Sequence, residues 1–365
     1  MKKLIVFLLC LALSSASAFA FQPSNLPYGV GAKYGAMGGA GSALCDDLTS
    51  TYYNPAGILK ANLFEAKVAA GGATDGLNEI YKVISAVEDP EKFLSENFVR
   101  TFNLNGSLNI QIGVNLNKVG LSSISVGYLN LTKPTPLTMV GGKASGIFIA
   151  ETSAVLGYSF STPALPVASI DTGVNIKSIN SFSSVSTAVG QFESNEEVRK
   201  GAGMGFDAGA RAGINTAWPT HFAVVIRDVG STLNEDVTTK VTTYDATGAI
   251  TDQTSSTAPG GSTTSPTTLT LGVATRIPVV DLVLAADIDS VSGSGTSYSV
   301  THLGVEYPIA GGFAKLRGGL INGGPNDSIS MATMGYGIGF FNGALMLDSK
   351  NAKNNSMIFD FSIVI

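Results

Sequence analysis

The sequence predicts an all-β protein, a transmembrane antiparallel β-barrel of about 14 strands with an N-terminal plug (hatch) inside the lumen. Three observations lead there. First, every even position from Phe102 to Leu116 is apolar or glycine, and every odd position is an amide, serine or glycine. A period of two sends the two sets to opposite faces of a strand. The run is far longer than the usual strand of about 5–6 residues, but it suits a tilted strand of about 9–11 residues that crosses a bilayer. Second, only 13% of the 365 residues are charged and 43 are glycine, against about 25% and about 7% in soluble domains. Third, the connections alternate in length. Those around 117–120, 161–166, 215–220, 277–281, 308–312 and 341–342 are short; those at 74–101, 132–146, 183–201, 230–266, 291–297, 322–329 and 350–355 are mostly longer. Membrane barrels sort their turns this way, with tight turns at one rim and long loops at the other. A soluble β-sandwich has no reason to do so.

Taken in order, the chain opens on a secretory leader over 1–20. Lys2 and Lys3 precede the apolar run Leu4 to Leu13, and Ala18-Phe19-Ala20 forms a small-x-small cleavage site. Loss of the leader takes the net charge from −5 to −7, so no basic nucleic-acid footprint is left. With Cys10 in the leader, Cys45 remains alone and no intrachain disulfide is expected.

Residues 21–64 do not alternate. They are rich in Gly and Ala, and Asn54-Pro55 ends any helix there. This stretch is the expected plug, and 65–365 the expected barrel. The glycines carry no Gly-Lys-Ser/Thr and no dinucleotide-binding spacing, so nucleotide binding is not expected. Leu77, Ile80, Tyr81, Ile84 and Val87 recur at helical spacing, and Asp89-Pro90 opens a second short helix, giving a helical insertion over 77–99.

Strands are expected near 65–73, 102–116, 121–131, 147–160, 167–182, 202–214, 221–229, 267–276, 282–290, 298–307, 313–321, 330–340, 343–349 and 356–365. The longest connection, 230–266, is nearly all Thr, Ser, Gly and Asp, and reads as a mobile or extended hairpin on the extracellular side.

Several strands carry charges on the polar parity. Asp171 and Lys177 share a face with Ser169, Gly173 and Asn175, and Asp207, Gly209, Arg211 and Gly213 form another inward set. A turn centred near residue 217 puts Asp207 opposite Arg227. The same construction puts Glu306 opposite Lys315, with Arg317 two residues along that face, while Asp287 and Asp289 share a third face. Such charges belong in the lumen, since an Arg or Lys facing lipid costs about 2–4 kcal/mol at the midplane. They read as cross-strand ion pairs, or as groups that line a water path or touch substrate. His221 and His302 sit in no metal-ligand pair and no nucleophile motif. No enzyme activity, metal or cofactor is expected.

The segment Ala36-Met37-Gly38-Gly39-Ala40-Gly41-Ser42-Ala43, then Asp46-Asp47, then Tyr52-Tyr53-Asn54-Pro55-Ala56-Gly57-Ile58 resembles the opening of the FadL-type outer-membrane transporters and of the related PorV and TraF-like groups. Gly205 to Ala210, Val224 to Gly230, His302 to Tyr307 and Leu316 to Gly319 are also similar to that superfamily. The resemblance implies a 14-stranded barrel with an N-terminal hatch in the bacterial outer membrane. It also implies that Asn54, Pro55 and Ala56 belong to the hatch and help gate a hydrophobic ligand path. The function it implies is passive uptake of a hydrophobic small molecule, a long-chain fatty acid or hydrocarbon. The PorV and TraF-like groups imply the alternative, a non-transport barrel that docks a secretion or conjugation partner protein at its outer loops. A lumen free of apolar side chains would favour docking. Two features depart from the fatty-acid branch: the chain is short, and the last strand ends on Ile365 where many such barrels carry an aromatic residue.

Overall fold

The computed structural model describes residues 30–73, 101–102, 106–115, 122–134, 137–140, 143–162, 168–189, 193–245, 249–350 and 355–364. The expected leader, the helical insertion over 77–99 and the ends of several connections lie outside these residues.

The described residues form seventeen strands: β1 (Phe64–Ala73), β2 (Thr101–Phe102), β3 (Gly106–Asn115), β4 (Ser122–Pro134), β5 (Leu137–Val140), β6 (Lys143–Ser161), β7 (Ala168–Val189), β8 (Glu193–Ile214), β9 (Thr220–Tyr244), β10 (Ile250–Thr264), β11 (Thr267–Ile277), β12 (Leu282–Gly293), β13 (Thr296–Ile309), β14 (Ala314–Gly323), β15 (Ile329–Ile338), β16 (Phe341–Asp348) and β17 (Ser356–Val364). Every pairing is antiparallel. The circuit β1, β3, β4, β6, β7, β8, β9, β11, β12, β13, β14, β15, β16, β17 returns to β1 through the pairing of Val68 with Phe361. Fourteen strands therefore close a barrel, as the alternation predicts, while β2, β5 and β10 lie outside the circuit. Closure leaves no open sheet edge around the wall.

The period-two pattern sets what each face carries. On β7, Asp171, Gly173, Asn175 and Lys177 are buried, while Ile170, Val174 and Ile176 are exposed. On β9 Phe222, Val224 and Ile226 point outward, between Ala223, Val225 and Arg227 on the inner face. The same outward belt continues through Leu269, Leu271, Leu284, Ile288, Leu303, Leu320 and Met334. On β17 Phe359 and Phe361 are exposed and Ile358 and Asp360 buried, as the parity predicts. Aromatic side chains gather toward the short-turn rim: Trp218, Tyr307, Phe313, Tyr336 and Phe340 are exposed, and Phe341 stacks on Phe359 at 5.9 Å between centroids. An apolar belt with an aromatic girdle is the surface a bilayer requires. Among the described residues no helix is long and apolar enough to cross a membrane.

An expected loop is strand instead, and the longest connection takes the extended-hairpin form. The 183–201 connection is absorbed by β7 and β8, each of 22 residues and paired from Ala168↔Ile214 to Val189↔Glu193. The 230–266 stretch becomes the upper half of β9 with β10 as an extended hairpin, Thr232 opposite Thr264 and Tyr244 opposite Ile250. Its Thr-rich composition carries strand propensity that the absence of apolar alternation hides. β10 is exposed along its whole length. Near residue 217 the register is as expected, Ala208 opposite Ile226 and Ile214 opposite Thr220. A β-bulge then intervenes at Asp228, which has φ 60°, so the next pair is Phe206 with Val229.

Inside the ring lies the N-terminal stretch 30–61. It holds a short helix α1 (Ala32–Ala36), a single helical turn α2 (Ser50–Tyr53) and a 3₁₀ turn over Pro55–Lys60. Val30, Tyr34, Cys45, Tyr52 and Tyr53 form its own small core.

Candidate functional site

The segment 30–61 is built from small residues because the wall leaves it little room. Its backbone is satisfied by inward side chains from all round the barrel, as buried polar groups require. The Ala32 amide donates to Asp360 on β17 at 2.6 Å, and the Leu48 amide to Glu65 on β1 at 2.9 Å. The Gly41 and Ser42 amides both donate to Asp287 on β12 at 2.8 Å, and the Ser42 hydroxyl adds a third bond. The Gly38 carbonyl meets His302 Nδ1 on β13 at 2.6 Å, and the Ala36 carbonyl accepts from Thr333 on β15. On the opposite side Asn175 donates to the Thr51 carbonyl and Arg211 to the Cys45 carbonyl, both at 2.9 Å.

Asn54, Pro55 and Ala56 are all buried, Asn54 and Ala56 completely. Asn54 caps the 3₁₀ turn by accepting from the Ala56 amide at 3.0 Å, and its amide donates to the Ser42 carbonyl at 2.9 Å and to the Ala210 carbonyl at 3.4 Å. Two inward glycines admit this turn. A Cβ at Gly209 would lie 2.2 Å from Asn54 Oδ1, and one at Gly173 2.4 Å from the Pro55 carbonyl carbon. The inward parity marks both glycines, but nothing in one sequence shows what presses on them.

The six charges expected in the lumen are all buried or half-buried on the inner face, with two changes of partner. Asp207 does not pair with Arg227. The bulge at Asp228 carries Arg227 away, and Asp207 instead meets Lys177 at 2.7 Å and accepts from the Asp228 amide at 3.0 Å. Lys177 also meets the Asp228 carboxylate at 2.5 Å. Arg227 pairs with Asp289 at 3.0 Å and lies 5.0 Å over the Tyr52 ring. Glu306 stands opposite Arg317, not Lys315, because the turn at 310–312 shifts the register by two. A shift of two keeps the face, so Glu306 still meets both cations, Arg317 at 2.7 Å and Lys315 at 3.2 Å. Arg317 then donates to Asn342, which donates to Asp360, the acceptor of the Ala32 amide. Arg211 pairs with Asp171 at 3.1 Å.

Within the segment, burial pushes the Cys45 thiol up to about 12. Burial alone would raise Asp47 as well, but Lys67 and Lys33 beside it hold its carboxyl well below the usual range.

Beyond the segment, toward the long-connection rim, the inner wall carries apolar side chains among polar ones such as Ser181, Ser231 and Thr268. Val300, Ile321 and Met331 form a buried cluster flanked by Tyr298 and Ile329. Ile179 and Leu233 are buried on the inward parity of β7 and β9. The sequence carries these positions, but one sequence does not separate lumen-facing from lipid-facing apolar residues.

No protein-family model matches the chain, and no curated protein matches it in sequence. Solved structures do. The Pseudomonas putida toluene transporter TodX is 13% identical, with 93% of this chain and 99% of that chain covered and a TM-score of 0.58. The Ralstonia pickettii toluene transporter TbuX is 14% identical, with 93% and 99% covered and a TM-score of 0.55. A Pseudomonas aeruginosa FadL homologue is 11% identical, with 95% and 99% covered and a TM-score of 0.51. This chain has the FadL-type barrel fold. At such identities the likeness concerns the fold alone.

Proposed function

We propose that this FadL-type barrel sits in the bacterial outer membrane and passes a hydrophobic small molecule, a long-chain fatty acid or hydrocarbon, without catalysis. The apolar inner patch of Val300, Ile321 and Met331 carries the reading. A docking scaffold needs no apolar surface inside its wall, whereas a hydrophobic solute leaving water needs one, at about 25 cal/mol per Å² of apolar surface covered. The transport described for the TodX and TbuX relatives supports the same reading.

In this mechanism the solute enters at the long-connection rim and settles on the apolar patch. The 30–61 segment blocks the way out. It is the plug, and its displacement from the wall around Asn54, Pro55 and Ala56 opens the path. The segment is suited to such a shift. Two patches of apolar contact, from Ala32 and Ala36 and from Met37, Ala40 and Ala43, touch the wall, but much of the rest of the attachment is polar bonds that water can replace when the segment shifts.

Native mass spectrometry of the detergent-purified protein tests the reading. A co-purifying fatty acid or hydrocarbon at one per barrel is the expected result, lost on Ile321→Asp. A barrel that never carries such a molecule, even after incubation with one, overturns it.

A further inference from the structure

A single histidine ties the segment to the wall where their backbones nearly touch. The segment crosses β13 and β14 at Met37-Gly38-Gly39. A Cβ at Gly304 would lie 2.5 Å from the Met37 carbonyl oxygen, and one at Gly319 2.3 Å from the Gly38 amide nitrogen. Gly38 and Gly39, with φ 66° and 84°, bend the chain there, and the Gly38 carbonyl meets Nδ1 of the buried His302 at 2.6 Å. The other ring nitrogen, Nε2, faces the Asp289 carboxylate at 3.6 Å.

A carbonyl and a carboxylate can only accept. A neutral imidazole carries one N–H, so in either tautomer one lone pair is left against an oxygen. The imidazolium has a proton for each side. The surrounding charges fit the same state. Among the described residues the ring is faced by Asp287 and Asp289 from β12, Arg227 from β9, and Tyr52 and Tyr53 from α2, around a polar cavity of about 20 Å³. Its neighbour on β14, Ile321, does not titrate. Two carboxylates stand against one guanidinium, and a protonated His302 supplies the second positive charge. Both acids are fixed in place. Asp287 holds the Gly41 and Ser42 amides, and Asp289 is held by Arg227 at 3.0 Å.

We propose that His302 is a pH-sensitive latch on the segment. Protonated, it bridges the Gly38 carbonyl to Asp289. Once the proton is lost, one of the two contacts turns from attraction to a lone pair facing an oxygen, and the charge-assisted bond, about twice as strong as a neutral one, is gone. The segment then leaves the wall more readily as pH rises. The inference rests on the uptake reading for the segment's role as gate, and adds what regulates it.

The chain has two histidines, and His221 lies apart, in the mixed-charge cavity at the short turns. An untagged, ¹⁵N-labelled His221→Asn variant in detergent therefore shows the His302 ring alone by NMR. Both ring nitrogens should be protonated at about pH 6 and lose one proton by about pH 9. Leakage of radiolabelled sucrose from proteoliposomes should be at least fivefold faster at the higher pH, with the midpoint of the ring titration. His302→Asn keeps an N–H within reach of the Gly38 carbonyl and cannot titrate, so its leakage should be flat, while His221→Asn keeps the pH dependence. A ring already neutral at about pH 6, leakage of the unaltered protein that ignores pH, or an unchanged pH dependence in His302→Asn overturns the proposal. The ring titration and the unaltered protein decide it even if His302→Asn does not fold. A barrel whose leakage follows His302 but which carries no fatty acid or hydrocarbon keeps the latch and loses only the uptake reading.

Discussion

At the scale of single residues, the segment inside the barrel is fixed by bonds that one substitution removes. Asn54→Ala takes away the cap on the Ala56 amide and the donor to the Ser42 carbonyl. Loss of a cap costs about 1 kcal/mol, and a buried group left unpaired about 1–3 kcal/mol more. The variant should keep its barrel but expose the 30–61 segment to protease at a measurably lower threshold. Cys45 is sealed under this turn with its thiol pushed up to about 12 by burial. An alkylating reagent at pH 8 should leave it unlabelled in the native protein and label it fully after denaturation. Labelling at the rate of a free thiol would contradict its placement. Asp47 gives a pH dependence. Its carboxyl is held low in the folded protein, so its contribution is complete above the unfolded value of about 4 and fades as pH falls below it. Protection of the segment from protease should therefore weaken below about pH 4, and Asp47→Asn should flatten that dependence.

At the scale of elements, the wall strands were legible because alternation is enforced on both faces at once, by lipid outside and by polar contacts within. Phe359, Phe361 and the β7 positions all fall on the expected side. What alternation does not encode was missed. Thr- and Ser-rich strands such as β10 lack an apolar face, so 230–266 read as a mobile or extended hairpin without strand bounds of its own. A bulge has no composition of its own, and the one at Asp228 reassigns the partners of Asp207 and Arg227 while leaving both side chains inward. The site followed the same rule. The Asn54-Pro55-Ala56 turn was visible as a break in pattern, but its seat against Gly173 and Gly209 depends on a contact between distant elements. That seat is testable. Gly209→Val forces a side chain into the space of Asn54 Oδ1, an overpacking that costs about 1–3 kcal/mol. The strands should stay paired, with unchanged β-sheet circular dichroism, while the segment loosens and passive leakage of small solutes through reconstituted barrels increases.

At the scale of the whole molecule, the barrel divides into three parts along its axis: an apolar inner patch near the long connections, the braced segment, and a polar cavity of mixed charge at the short turns. The segment is one body. Tyr34 and Tyr53 bring their rings to 4.6 Å, the Tyr53 hydroxyl accepts from the Val30 amide, and Asn54 reaches back to the Ser42 carbonyl. Holding it at one end therefore holds the Asn54 turn at the other. The wall offers a place to do so, because a Cβ at Gly35 would lie 3.9 Å from the Cβ of Ala344 on β16, within the range of about 3.5–4.5 Å that a disulfide spans. The most direct test of the central claim is uptake of radiolabelled dodecanoate by cells carrying Gly35→Cys/Ala344→Cys in a Cys45→Ala background, measured oxidised and again after reduction. If the segment must leave the wall for a hydrophobic solute to pass, oxidation abolishes uptake and reduction restores it. Uptake that proceeds at the same rate with the disulfide closed would contradict the account.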